Sequence, residues 1–330
     1  MPDILICEVG PRDGLQNAKH LMPTAAKKAW IGALAAAGLR EIEVGSFVPP
    51  KLIPAMADTG EVVAYAKTLP GVKVVALAPN LKGFQRAVEA GAHKVTFPVS
   101  ASHQHSVSNV RMTPDQMIEE VRRGAQLPHP GVEIEGAVAT AFGCTLQGRV
   151  DEDEVVRIAA ALAEFCDCIA LADTVGYANP AQVRRIFSRV KNEIGGKLEG
   201  AHFHNTRGLG LANALAAYEV GVRAFDSSLG GLGGAFPGAA GGGAGMPDLS
   251  TFALFASSST LTPRNPRCHR ACSSAAVAAS TSNSRGRPRL RTGTASPDIS
   301  GMYATQFVFV ERILPKSPES RSRCPTPHEH

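Results

Sequence analysis

Eight short runs rich in β-branched residues, at 4–8, 41–44, 73–77, 94–97, 132–138, 168–171, 199–202 and 223–226, are separated by longer stretches with helical apolar spacing. Strands joined through helices of that length run parallel, because a parallel crossover needs a dozen residues or more. Eight such strand–helix units in about 250 residues match the arithmetic of a closed (β/α)₈ TIM barrel, an α/β fold that places its chemistry at the carboxyl ends of its strands. An open doubly wound sheet is the alternative, but no G-x-G-x-x-G follows the first strand. Several helix ends are legible. Thr24 precedes AAKKAWIGALAAAG with Gly38 as its stop, and Asn80 precedes LKGFQRAVEAG with Gly91 as its stop. Thr113 and Asn179 each put a capping side chain ahead of a proline at the first helical position.

The formal net charge of +5 belongs to the end of the chain. From residue 258 onward ten arginines and one lysine stand against four acids, so this stretch carries +7 and the remainder −2. A slightly acidic body with a basic tail lacks the clustered basic surface of a nucleic-acid groove, so no nucleic-acid partner is expected. Residues 258–330 are rich in Ser, Arg, Pro and Ala without helical or strand period, and cannot bury enough apolar surface to offset their ordering entropy. The sequence therefore predicts a barrel domain over 1–257 and a largely disordered tail over 258–330, in which only 302–314 has strand or short-helix character. No apolar run is long enough to span a membrane, and the amino end enters a strand at once, so a cytoplasmic protein is expected. Seven cysteines, an odd number spread over 330 residues, point to reduced thiols.

Polar and chargeable residues crowd the expected strand ends: Arg12 and Asp13, Glu43, Asn80, Asp173, His202 and His204. The histidines, two apart on a strand, share one face. With Asp13 they offer a mixed nitrogen and oxygen set suited to Mg²⁺, Mn²⁺ or Zn²⁺. Two half-exposed histidines bonded to carbonyls are the plainer reading of H-x-H alone. Arg12 offers a planar cation to an enolate or carboxylate, although an Arg–Asp surface pair is the plainer reading there too. Cys166 and Cys168 are read as packed thiols, and Cys144 as a packed thiol near the barrel mouth.

The segments EVGPRDGLQN, EVGSFVPPK, APNLKGFQRAVEAG, LADTVG, HFHNTRGLGLANALAAYE and SLGGLGG, at the first, second, third, sixth, seventh and eighth strands, together resemble the hydroxymethylglutaryl-CoA lyase family of the DRE-TIM metallolyases over about residues 4–234. The Gly-Leu-Gln at 14–16 and the S-F-V-x-P-K stretch at 46–51 are similar to the lyases rather than to related Claisen-type synthases. The resemblance implies a pyruvate carboxyltransferase-like barrel and an acyl-CoA substrate, a homodimer, and a place in leucine degradation and ketone body formation. It implies a divalent cation, Mg²⁺ or Mn²⁺, on Asp13, His202 and His204, with Arg12 stabilising the enolate of departing acetyl-CoA. Glu43 and Asp173 would join the catalytic shell, Asp173 as a proton-transfer partner. The reaction implied is retro-Claisen cleavage to acetyl-CoA and acetoacetate. Cleavage of another 3-hydroxy-3-substituted acyl-CoA, such as citramalyl-CoA, or a barrel that binds metal or acyl-CoA without turnover, stays open.

The chain departs from the family after SLGGLGG. Ala235 stands at the family's cysteine position, and Gly242 at that of an asparagine ligand when 237–241 is matched to P-G-A-x-G. Alanine has no thiol and glycine no side-chain oxygen, so impaired activity is expected. A shifted reading frame from about this point would account for both the lost motif and the Arg/Ser/Pro-rich composition of the tail, and resequencing the coding region tests it.

Overall fold

A computed structural model describes residues 4–18 and 20–233. The tail at 258–330, Ala235 and Gly242 lie outside the described residues. The strands are β1 (Leu5–Glu8), β2 (Glu41–Ser46), β3 (Lys73–Leu77), β4 (Lys94–Ser100), β5 (Glu133–Ala139), β6 (Cys168–Asp173), β7 (Leu198–Phe203) and β8 (Ala224–Ser227). They pair in sequence order, all parallel, and close as a barrel when β8 meets β1 from Leu5↔Ala224 to Glu8↔Ser227. All eight expected strands are present. Three of them, β2, β4 and β6, run two or three residues past the expected ends, toward the face where the chemistry lies. In β4 this carries the strand through Pro98, which is tolerated because the ladder to β3 has already ended at Leu77↔Thr96.

The connecting helices are α1 (Thr24–Ala36), α2 (Thr59–Ala66), α3 (Leu81–Ala90), α4 (His103–Val110), α5 (Pro114–Ala125), α6 (Glu152–Ala163), α7 (Pro180–Ile194) and α8 (Gly210–Glu219). The Asn80 side chain accepts the Gly83 N–H, and α3 stops on Gly91 at φ 81°. Thr113 and Gln116 close a capping box on α5, and Asn179 accepts the Gln182 N–H on α7. Thr24 differs from expectation: it is the first helical residue behind Pro23, and its hydroxyl donates to Asp58 Oδ2 at 2.8 Å. Helix α4 was not anticipated, because HQHSVSNV carries little apolar patterning; Ser102 caps it by accepting the His105 N–H at 3.2 Å.

Strand alternation sorts the barrel into two environments. In β2, Ile42 and Val44 join the apolar layer under the helices while Glu41 and Glu43 face the interior; in β5, Ile134 and Val138 do so while Glu135, Ala137 and Ala139 face the interior. At the amino end of the interior, the buried Lys94 ammonium lies 2.8 Å from Glu41 Oε1 and 2.8 Å from Glu135 Oε2. Above this ionic plug the short side chains of Ala137, Ala139, Ala170 and Ala172 leave a cavity of about 730 Å³, whose rim is formed by loops after the strands, at Asn17, Pro49, Asn80 and Arg111.

Candidate metal centre and active site

Arg12 and Asp13 sit on a π-helical turn, Gly10–Gly14, directly after β1. Such turns are rare and concentrate at functional sites. Only glycine fits its first position, since a Cβ on Gly10 would lie 2.5 Å from Glu8 Oε1 and 2.7 Å from Ser228 Oγ. The fully buried Glu8 carboxylate accepts the N–H of Gly10 at 2.9 Å and of Leu229 at 3.0 Å, clipping the turn to the end of β8. The turn aims Arg12 across the cavity, where Nε donates to Glu43 Oε2 at 2.6 Å and Nη1 to Asp13 Oδ1 at 2.8 Å. Arg12 Nη2 is left to meet an anionic oxygen.

Barrel closure brings Asp13, His202 and His204 together, their ligand atoms within 4.8 Å of one another. His202 Nδ1 lies 2.8 Å from Asp226 Oδ2, and His204 Nδ1 lies 2.6 Å from the Thr174 carbonyl. Both partners only accept, so each Nδ1 carries a hydrogen and each neutral ring presents a bare lone pair at Nε2. Those two Nε2 atoms face each other at 3.2 Å, and His204 Nε2 lies 3.2 Å from Asp13 Oδ2. Two lone pairs and a carboxylate converging on one point demand a positive charge there, supplied by a proton on His204 or by a metal cation. The residues therefore fit a divalent cation, with two imidazoles and a carboxylate as donors. Their outer partners, Asp226 and the Thr174 carbonyl, fix the ring tautomers as such ligands require.

The electrostatics follow from burial and pairing. Burial works to raise the Asp13 carboxyl, but Arg12 and the two histidines outweigh it and hold it well below the usual carboxylate range. Burial works to lower His204, yet the bond to Asp13 and its charge outweigh that, and the imidazole sits above its ordinary value. Burial pushes the Glu43 carboxyl up to about 7, against the pull of Arg12. Proton and cation compete for His204 Nε2, and the raised pKa keeps the proton competitive to higher pH than on a free histidine. Metal affinity is expected to rise with pH by up to about tenfold per unit until His204 is deprotonated, with a proton released at each binding event below that point. Calorimetry in buffers of different ionisation enthalpy reads the released proton directly; an affinity flat from about pH 6 to 8 would contradict the competition.

Of the residues singled out in the sequence, Arg12, Asp13, Glu43, Asn80, His202 and His204 all line the one cavity. Asp173 does not. It is fully buried at the end of β6, with Oδ1 accepting the Tyr177 N–H at 2.8 Å and Oδ2 the Ala178 N–H at 3.0 Å, so it holds the loop that follows the strand. Cys144 is also absent from the wall; its buried sulfur accepts the N–H groups of Leu146 and Gln147. Cys166 and Cys168 are buried and unbridged, as expected of packed thiols, and burial pushes Cys166 up to about 12. The sequence reading missed Asp226, Glu8 and Thr174. A carboxylate at the end of the last strand was the available signal for Asp226, since pairing in sequence order sets that strand beside β7.

The comparisons agree with this geometry. The family model described as HMGL-like matches residues 3–265. The mitochondrial hydroxymethylglutaryl-CoA lyase of Bos taurus is 39% identical over 235 residues, which is 70% of this chain and 72% of that protein. The 3-hydroxy-3-isohexenylglutaryl-CoA/hydroxy-methylglutaryl-CoA lyase of Pseudomonas aeruginosa is 40% identical over 238 residues, 70% of this chain and 78% of that protein. Among solved structures, an HMG-CoA lyase from Acinetobacter baumannii in complex with coenzyme A and 3-methylmalate is similar with a TM-score of 0.74 and 40% identity, covering 79% of this chain and 85% of that one. A barrel closed over this donor set and a match running nearly its whole described length lead to one assignment: the chain belongs to the HMGL-like family.

Proposed function

We propose that this chain is a hydroxymethylglutaryl-CoA lyase, a carbon–carbon lyase acting by retro-Claisen cleavage. The observation that carries the reading is the placement of the Asp13, His202 and His204 donor set on the same cavity wall as Arg12. A divalent cation held there, Mg²⁺ or Mn²⁺, would supply the Lewis acidity that lowers the pKa of the substrate's tertiary hydroxyl. Arg12, fixed at Nε and Nη1, offers its remaining N–H groups to the thioester oxygen, which gains negative charge as the carbon–carbon bond breaks. Glu43 holds Arg12, and with its carboxyl raised to about 7 it is the cavity acid poised to take and return a proton near neutrality. Asp173 contributes by anchoring the 174–178 loop, and through Thr174 it supports His204. The products are acetoacetate and the thioester enolate, which a proton converts to acetyl-CoA. That chemistry belongs to leucine degradation and ketone body formation.

The unbridged thiols Cys7, Cys144, Cys166 and Cys168 suit the cytoplasmic location we assign, and no helix of the described residues is long and apolar enough to cross a membrane. We assign the acyl-CoA as substrate and a second copy of the chain as partner in a homodimer. A larger substituent at the 3-position is the second reading for substrate, favoured by the isohexenyl substrate named for the Pseudomonas aeruginosa relative.

Low turnover is expected, because Ala235 lacks a thiol and Gly242 a ligand oxygen. A general acid typically contributes about 10²–10⁴-fold. Acetoacetate release from hydroxymethylglutaryl-CoA with Mg²⁺ or Mn²⁺ present is the test, and Ala235→Cys with Gly242→Asn is expected to raise it by about that factor. Unrestored turnover of about 1–10³ s⁻¹ would mean another group supplies the proton. Cys7, whose side chain lines the cavity, is better placed for that than Cys144. Metal binding with no turnover in either protein would favour a barrel that binds without catalysis.

A further inference from the structure

Thr140, the residue that follows β5, adopts a left-handed backbone at φ 56°. For a β-branched residue this is a true outlier, and strain of that kind persists where the surroundings over-determine it. The surroundings here are hydrogen bonds. The Thr140 N–H donates to Thr174 Oγ1 at 2.7 Å, and Thr174 is the residue whose carbonyl holds His204. The Thr140 hydroxyl lies 2.7 Å from the Ala139 carbonyl, accepts the Ser102 N–H at 2.9 Å and lies 2.8 Å from Ser100 Oγ. Ser100 Oγ in turn lies 3.0 Å from His105 Nδ1. Ser100 and His105 are both buried, and both line the cavity.

Proton counting gives this chain one direction. Two oxygens 2.7 Å apart, one of them a carbonyl, need a hydrogen between them, so Thr140 spends its only proton on Ala139. Its bond with Ser100 must then use the serine's proton. Ser100 has none left for His105, so the third bond must use a hydrogen on His105 Nδ1. Burial lowers the His105 pKa, which agrees with a neutral ring carrying that single hydrogen. Ser100 is left with one lone pair and no proton.

We propose that Thr140 is a positioning residue that polarises the Thr140–Ser100–His105 chain, fixing His105 as the Nδ1–H tautomer and making Ser100 a pure acceptor toward the cavity. This deepens the lyase reading: that wall takes an N–H or O–H donor of a bound acyl-CoA and disfavours a carboxylate, which finds its cation at Arg12.

The tautomer is measurable in the ligand-free, metal-free full chain, so the test does not depend on lyase activity. In protein labelled with ¹⁵N-histidine, with His105 assigned by difference against His105→Gln, long-range proton–nitrogen spectra are expected to show Nδ1 protonated and Nε2 bare. Thr140→Val keeps the shape and removes the hydroxyl. The Ser100 proton is then released to donate to His105 Nδ1, and the ring is expected to switch to Nε2–H. Thr140→Ser is expected to restore the wild-type pattern. A filling role for Thr140 would leave the tautomer unmoved by the valine. An Nε2–H ring in the wild type, or an unchanged Nδ1–H ring in folded Thr140→Val, overturns the proposal. Should the valine variant not fold, Thr140→Ala removes the same hydroxyl and must show the same switch to Nε2–H, and an Nε2–H ring in the wild type or in Thr140→Ser overturns the proposal.

Discussion

His202→Ala is expected to weaken Mn²⁺ binding by at least about a hundredfold and to lower acetoacetate release in proportion. Replacing an outer partner of a metal ligand typically costs about 10–100-fold in affinity, and removing a ligand itself should reach or pass the upper end. The same scale sets the control. Asp226→Ala leaves the imidazole in place but removes the carboxylate that holds its Nδ1 hydrogen at 2.8 Å, so a loss of about 10–100-fold is expected there. Asp173→Asn, by contrast, touches the loop amides and not the cavity, so its effect should appear in stability before it appears in metal affinity. Calorimetric titration with Mn²⁺ ranks the three. Unchanged affinity in His202→Ala would remove the histidine from the site, whatever the activity does.

The second large effect lies at the other end of the barrel. Lys94→Ala is expected to destabilise the protein by about 3–5 kcal/mol at neutral pH, because it strands Glu41 and Glu135 together in the interior without their cation. The pH dependence has a definite sign. Burial already holds the Glu41 carboxyl above its ordinary value, and without Lys94 only the half-exposed Lys73, 3.9 Å from Glu41 Oε2, opposes that rise. A carboxyl raised in the folded state favours folding as it takes up a proton, so the penalty should shrink as pH falls toward the carboxylate range. Replacing Lys94 together with Glu41 and Glu135 by apolar residues of similar volume is expected to recover most of the loss. Urea unfolding of the three proteins measures this, and a loss below about 1 kcal/mol in Lys94→Ala would show that water reaches the carboxylates.

Much of the fold was legible because its signals are local. Asn80, Thr113 and Asn179 cap the helices they precede for reasons contained within three or four residues. The strand runs alternate with helices at a spacing that admits few architectures. Helix α4 escaped because its residues are polar and its length is two turns, leaving Ser102 as the only local cue. The site divides along the same line. Arg12 with Asp13, and His202 with His204, are close in sequence and stand out there. Glu8, Asp226 and Thr174 act across barrel neighbours, so their roles appear only when β8 lies between β1 and β7, and β7 lies beside β6. Asp173 shows the opposite failure. Ala170, Ala172 and Thr174 line the cavity, so strand alternation turns Asp173 to the other face, and its place in a motif hid its register.

The clip formed by Glu8 bears on the order of events in folding. It joins the turn bearing Arg12 and Asp13 to Leu229, a residue 221 positions later in the chain. The donor set likewise spans the first and seventh strands. A ribosome-bound chain that has not yet delivered its last strand can thus hold helices and most of its ladders and still have no place for a cation. Binding free energy is collected only by the closed ring, as for any ligand that recognises the native state alone. A cation on this site would act as a latch on ring closure, slowing the opening of the seam between first and last strands.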